Sequence, residues 1–214
     1  MTARRHLVWD WNGTLIDDLS VVISATNAVF ASVGGPVITA EQHRREFRRP
    51  IVKYYARVLG RPVSADEFAR LDKLFHDAYQ AGLATCQLSA GARQALRAWP
   101  GTQSLLSMWF HSDLLPTVEA FGLTSHFTRI DGLPAAVGGG HKAPHLAAHL
   151  AALQLAGEHV VLIGDTVDDA EAAAACGAAC VLYAGGFTDP EQLRATGAPV
   201  AETLGAAVAL ARTL

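Results

Sequence analysis

The sequence predicts an α/β protein whose core is a doubly wound parallel sheet, interrupted near its start by an all-helical insertion. Three observations carry this expectation. His6 to Trp9 and His159 to Ile163 are short, continuous apolar runs of the kind buried on both faces in parallel sheets. From about residue 87 onward, strand-like and helix-like patterns alternate, as they do in βα units. Between the first run and that alternation, Leu19 to Leu83 shows helix signals only.

Each element follows from local chemistry. The first run ends abruptly at Asp10, and Gly13 marks a turn, so a buried strand feeds a polar loop. In the helical block, Thr39 with Gln42 and Ser64 with Glu67 match the capping box, and Gly60 suits a helix end. Arg48 and Arg49 stand before Pro50, at a break between two helices. A helix is expected near Ala90 to Trp99, a strand over Gln103 to Ser107 and a helix from about Ser112 to Phe121. Pro144 fits the first turn of the next helix. The strand His159 to Ile163, a helix from about Asp168, a strand Ala179 to Tyr183 and a closing helix Glu202 to Leu214 complete the series. The Ala-rich tracts Ala147 to Ala156 and Ala172 to Ala179 keep helical periodicity and read as packed helices. The expected division is a core of residues 1–16 and 87–214 and a helical domain of residues 17–86.

Composition sets the class. A chain of 214 residues, 50% apolar, can bury one good core and one smaller inserted domain. A net charge of −3 gives no long-range pull toward nucleic acid or anionic membrane, so neither is an expected partner. Cys86, Cys176 and Cys180 are an odd set without CxxC spacing, against a disulfide framework or zinc site and in keeping with a reducing cytoplasm. The opening residues, with Arg4 and Arg5, hold no apolar stretch long enough for a signal peptide, and no run nears the roughly 18 residues of a membrane span. The expectation is a cytoplasmic monomer or homodimer.

Open α/β sheets bind ligands outside the carboxyl ends of their strands. Polar residues there are Asp10, Ser107 and Asp165, with Lys142 just ahead of a helix, and these four should converge on one crevice.

Four segments, DWNGT at Asp10 to Thr14, LLS ending at Ser107, HKAP around Lys142 and GDTVDD at Gly164 to Asp169, resemble the motifs of the haloacid dehalogenase (HAD) superfamily. The resemblance spans nearly the whole chain. It implies a Rossmann-like core with a helical cap inserted between the first two motifs, as in phosphoglycolate-phosphatase-like members. It further implies a magnesium-dependent hydrolase of small phosphorylated metabolites, with Asp10 as the nucleophile that forms an aspartyl phosphate. Mg2+, which favours oxygen ligands, would be held by Asp10, the backbone carbonyl of Asn12 and Asp165, with Asp169 behind them or acting through water. Ser107 and the N–H of Met108 would bind phosphate oxygens, and Lys142 would neutralise charge on the transferring group. Trp109 and Arg49 are candidate substrate contacts, although aromatic residues at a sheet edge also simply pack and an arginine pair also forms a solvated surface.

Two tempting patterns fail on spacing. Gly138 to Gly140 before Lys142 lacks the GxxxxGK[ST] spacing of a phosphate-binding loop. His145 and His149 have a zinc-like separation but no third ligand.

The chain departs from the family at Asn12, where the typical phosphatase has an aspartate that protonates the leaving group and then activates water. An amide cannot exchange protons usefully, and general acid–base help contributes on the order of 10² to 10⁴ in rate. Three explanations stand: a phosphatase with a good leaving group or another proton source, a phosphonoacetaldehyde-hydrolase-like enzyme using Lys53, or an attenuated phosphate-binding protein.

Overall fold

The structure is a computed structural model that describes residues 5–134 and 139–214. Arg4 of the opening segment and Gly138 of the glycine run lie outside the described residues. In chain order the elements are β1 (His6–Trp9), β2 (Ile16–Asp17), α1 (Leu19–Ser32), α2 (Ala40–Glu46), α3 (Ile51–Leu59), α4 (Ala65–Gly82) and β3 (Gln87–Leu88). There follow α5 (Ala92–Ala98), β4 (Gln103–Phe110), α6 (His111–Ala120), β5 (Ile130–Leu133), α7 (Ala143–Leu153) and β6 (Val160–Gly164). The last are α8 (Val167–Ala175), β7 (Ala179–Tyr183), α9 (Pro190–Ala195), β8 (Val200–Ala201) and α10 (Leu204–Ala211).

Six strands form one parallel sheet in the order β5-β4-β1-β6-β7-β8. Alternating side chains fill opposite faces, as the period of a strand requires. Leu7, Trp9, Val161 and Ile163 pack with Leu96 of α5 and Val208 of α10, whereas Val8, Leu162 and Leu182 pack with Leu146 and Leu150 of α7 and Ala173 of α8. Helices therefore cover both faces, which is why the central strands read as uninterrupted apolar runs. The chain leaves β1 for β4 and β5 on one side and returns to β6 and β7 on the other. That reversal beside β1 is where a crevice opens at the carboxyl ends.

Helices α1 to α4 leave the sheet through β2 and return through β3, which pair antiparallel as Ile16↔Leu88 and Asp17↔Gln87. They have a cluster of their own around Phe30, Tyr54, Tyr55 and Leu71. Thr39 and Gln42 close a full capping box on α2, Ser64 accepts from the Glu67 N–H at the start of α4, and Gly60 ends α3 at φ +66°. The helical block is tied to the loop after β7 where Arg44 Nε donates to the Gly186 carbonyl at 2.8 Å and the Asp189 N–H donates to the Arg44 carbonyl at 3.0 Å.

Some expectations are corrected. β4 runs on to Phe110, because Met108 to Phe110 continue as strand and Phe110 pairs with Leu133 of β5 after a register shift. Ser107 is therefore inside a strand, just beyond Leu105, the last β4 residue paired to β1. His159 ends a 3-10 turn before β6, and the closing helix is shorter than expected because the Thr203 side chain caps it at the Ala206 N–H. β5, α9, β8 and the β2–β3 pair went unforeseen; they are short, and Asp131 and Gly132 break the apolar pattern of β5. No described helix is long and apolar enough to cross a membrane.

Candidate active site

Asp10 and Asp165 immediately follow β1 and β6, which are hydrogen-bonded neighbours with Trp9 opposite Ile163, so their carboxylates meet above the same edge. Lys142, at the N-cap of α7, is buried and donates from Nζ to Asp10 Oδ1 at 2.7 Å and to Asp169 Oδ1. Asp169 Oδ2 accepts from Thr166 Oγ1 at 2.6 Å, the Thr166 N–H at 3.0 Å and the Asp165 N–H at 3.2 Å, which fixes the loop carrying Asp165. Asp165 in turn accepts from Thr14 Oγ1 at 2.9 Å and from the Phe187 N–H at 2.7 Å. One oxygen from each of Asp10, Asp165 and Asp169 lies within 4.8 Å of the others. Glycine is required at Gly13, whose φ is +71° and where a Cβ would stand 2.5 Å from Asp165 Oδ2.

The electrostatics follow from burying three carboxylates around one ammonium. Burial pushes the Asp10 carboxyl up to about 6; Lys142 pulls it down and Asp169 pushes it up. Burial, with repulsion from Asp10 and Asp169, holds Asp165 well above the usual carboxylate range. Asp169 is lowered, because Lys142 and the Thr166 donors outweigh its burial. Lys142 is raised, because Asp10 and Asp169 outweigh the penalty of burying its charge. The surplus negative charge and the all-oxygen donor set suit a hard divalent cation such as magnesium.

Asn12 is held from three sides. Its Nδ2 donates to Asp18 Oδ2 at 2.8 Å and to the Tyr79 hydroxyl at 2.9 Å, while Oδ1 accepts from Ser107 Oγ at 2.9 Å. Asp18 is fully buried and also accepts from the Tyr79 hydroxyl at 2.7 Å and from the Gly13 N–H at 2.8 Å. Burial pushes its carboxyl up to about 6, against the pull of those donors. A carboxylate accepting from its neighbours requires the amide nitrogen, not the oxygen, to face it, so the amide orientation is settled by donor arithmetic. Both Asn12 N–H bonds are consumed.

Two neighbouring cavities lie at the site, the smaller of them against Asp10. One, of about 30 Å³, is lined by Asp10, Lys142, Thr166 and Asp168 and shares Asn12, Phe47, Arg49, Met108 and Phe187 with its neighbour. That neighbour, of about 90 Å³, extends into the helical block against Tyr54, Phe75, Tyr79 and Trp109. Met108 and Arg49 thus line the space beside Asp10, whereas Trp109 lines only the adjoining cavity. Arg49 is braced by the Gly140 carbonyl at 3.0 Å and Asp168 at 3.9 Å. Ser107 is fully buried and lines neither cavity; its hydroxyl is spent between Asn12 and the Trp109 N–H. Lys53 is exposed and outside both cavities. Phe110 and His111 also line neither; His76 lies against the Phe110 ring, and His111 Nδ1 accepts from the Gly132 N–H. His149 bonds Asp131 and Ser104, so no metal-binding pair forms with His145.

Asp18, Tyr79, Phe187 and Asp168 were not singled out from the sequence. Asp18 had one weak signal, its place beside Asp17 before a helix, while Tyr79 and Phe187 reach the site only through tertiary packing.

Comparison with known proteins agrees with this fold. The HAD-hydrolase-like family model matches residues 138–207. The phosphoglycolate phosphatase of Chromobacterium violaceum is 26% identical over 209 residues, 89% of this chain and 90% of that one. Among solved structures, a predicted phosphatase from Clostridium acetobutylicum superposes with a TM-score of 0.88 at 15% identity, covering 100% of both chains. A haloacid dehalogenase-like hydrolase from Streptococcus pneumoniae does so at 0.83 and 22% identity, covering 98% of this chain and 99% of that one. The fold is that of the solved haloacid dehalogenase-like hydrolases, and residues 138–207 carry the sequence likeness to the HAD-hydrolase-like family.

Proposed function

We propose that the chain is a phosphatase of phosphoglycolate-phosphatase type, a magnesium-dependent phosphohydrolase acting on a small phosphorylated metabolite through a phosphorylated Asp10. In this reading residues 17–86 are the cap over a core of 1–16 and 87–214. The observation that carries the reading is the buried triangle of Asp10, Asp165 and Asp169 around Lys142. Asp10 and Asp165, with the Asn12 carbonyl, would hold the metal. Asp169, its oxygens already engaged by Lys142 and the 165–166 loop, orients the others. When bound, magnesium supplies positive charge to the phosphoryl oxygens.

Asp10 is well placed to attack phosphorus, since Lys142 keeps it ionised near neutral pH and fixes its direction. Lys142 also balances charge on the transferring group, and Arg49, at the join of the two cavities, faces it from the cap. Met108 offers its backbone N–H, whereas Ser107 acts by orienting Asn12 and the strand. Nothing in the geometry favours phosphonate cleavage through Lys53.

Acetyl phosphate with magnesium, followed by acid quenching, tests the reading. The expected result is a phosphoryl adduct on Asp10, lost together with turnover in Asp10→Asn. A folded Asp10→Asn that still hydrolyses acetyl phosphate would overturn it.

A further inference from the structure

We propose that the substrate is the phosphate monoester of a small phenol-type alcohol, its single aromatic ring seated between the helical block, the carboxyl end of β4 and the loop after β7. The inference rests on the phosphohydrolase reading above and adds the class of leaving group. Two independent observations carry it. The first is the clamp on Asn12: with both side-chain N–H groups held by Asp18 and Tyr79, this residue two positions after the nucleophile has no hydrogen left to donate to a departing group. Tyr79 spends its own hydroxyl proton on Asp18. Neither residue has a proton to give the leaving oxygen.

The second observation is the cavity itself. Rings of Phe47, Tyr54, Phe75, Tyr79, Trp109 and Phe187 line it, with Trp109 edge-on to Tyr79 at 5.4 Å and Phe47 edge-on to Phe187 at 5.7 Å. At about 90 Å³ it is smaller than the roughly 150 Å³ of an engineered cavity that takes benzene, so it excludes anything larger than one ring, and seating a ring requires the lining side chains to move outward. Two lining histidines, His43 through Nε2 and His76 through Nδ1, have buried nitrogens without a hydrogen-bond partner, suited to a polar substituent on that ring. The lining cation, Arg49, is already shared with Asp168 and Gly140, leaving a carboxylate such as that of phosphoglycolate poorly matched here.

The reaction balances without a donor. An Asp10 oxygen bonds to phosphorus as the phosphorus–aryl oxygen bond breaks, and its electron pair leaves on a phenolate stable enough to depart unprotonated. Water then attacks the phosphorus of the aspartyl phosphate, releasing inorganic phosphate, regenerating Asp10 and passing its proton to solvent.

The test compares phenyl phosphate, benzyl phosphate, phosphoglycolate and acetyl phosphate on the magnesium-loaded protein. Phenyl and benzyl phosphate share a ring but differ in leaving-group acidity, whereas acetyl phosphate has a good leaving group and no ring. Phenyl phosphate should exceed benzyl phosphate in kcat by about 10² or more and lead phosphoglycolate in kcat/KM by a similar factor. Equal kcat on phenyl and benzyl phosphate, or a preference for phosphoglycolate, overturns the proposal while acetyl phosphate turnover preserves the phosphohydrolase reading. Failure on all four, acetyl phosphate included, overturns both.

Discussion

Ser104 and Ser107 lie on the same strand, three residues apart and both fully buried, yet they belong to networks of opposite meaning. Ser104 Oγ lies 2.8 Å from both His6 Nε2 and His149 Nε2, and His149 Nδ1 lies 2.6 Å from Asp131 Oδ2. Proton order follows from the carboxylate. A neutral His149 donates from Nδ1 to Asp131, so its Nε2 accepts the Ser104 proton, and Ser104 then accepts from His6 Nε2–H. This is the connectivity of a serine-hydrolase triad, but it sits near the amino ends of β1 and β4, and neither cavity beside Asp10 reaches it. Ser107, toward the carboxyl end, orients Asn12 at the edge of an accessible crevice. A hydrogen-bonded constellation becomes a site only where the fold admits a ligand, and in a parallel sheet that is the carboxyl end.

The largest effect is expected at Asn12. Asn12→Asp would set a second carboxylate against buried Asp18, where the amide nitrogen now stands 2.8 Å from Oδ2. Leaving such charge uncompensated costs about 3–5 kcal/mol, so the single variant should be much less stable in urea and no faster on any ester. Exchanging the pair, Asn12→Asp with Asp18→Asn, restores one amide facing one carboxylate and should recover most of the loss. It should also raise turnover of benzyl phosphate by about 10² while changing phenyl phosphate little. An unimpaired single variant would show that the clamp does not bind Asn12 as described.

The sequence made the parallel sheet and its carboxyl-end residues legible because those signals are local. The apolar runs at β1 and β6, the polar residues after them and the caps at Thr39, Ser64 and Pro144 each depend on a few neighbours. Asp10, Lys142, Asp165 and Asp169 were readable for the same reason, and the structure brings them together. What stayed hidden depends on distance. Tyr79 reaches Asn12 across 67 positions of sequence, and Phe187 reaches Asp165 across 22. Ser107 looked like a phosphate ligand because nothing local announced that its hydroxyl would be spent on Asn12. The back network was equally invisible, with Asp131, His149 and Ser104 drawn from three separate elements.

At the front, a metal should compensate the charge surplus, and Asp165 sharpens that contrast. Burial and like charge raise its carboxyl well above the usual range, so at neutral pH its ionised form destabilises the metal-free fold. Magnesium should therefore raise the Tm of the native chain, whereas Asp165→Asn should be the more stable protein without metal and gain nothing from its addition. Each kcal/mol is worth about 2–4 °C in a chain of this size, which differential scanning calorimetry resolves. A magnesium-induced rise that persists in Asp165→Asn would remove this residue from the metal site.

The smallest effects belong to the back network, where stability rather than turnover should change. Burial, with repulsion from His149, pushes His6 down to about 4 from an ordinary value of 6.5. The unfolded chain thus takes up a proton that the folded chain refuses. Stability from a neutral His6 is fully present above pH 6.5 and is lost as pH falls from there toward about 4, by at most about 1.4 kcal/mol per pH unit. Urea midpoints measured through that window should fall less steeply in His6→Gln. Ser104→Ala leaves two imidazole nitrogens without their partner and should cost about 1–3 kcal/mol at neutral pH. Its turnover should stay within about threefold of the parent, since none of its contacts reaches the reacting atoms. If Ser104→Ala instead slowed phenyl phosphate hydrolysis as much as Ser107→Ala does, the two ends of β4 would be energetically joined, and the distinction between a structural triad and a catalytic crevice would fail.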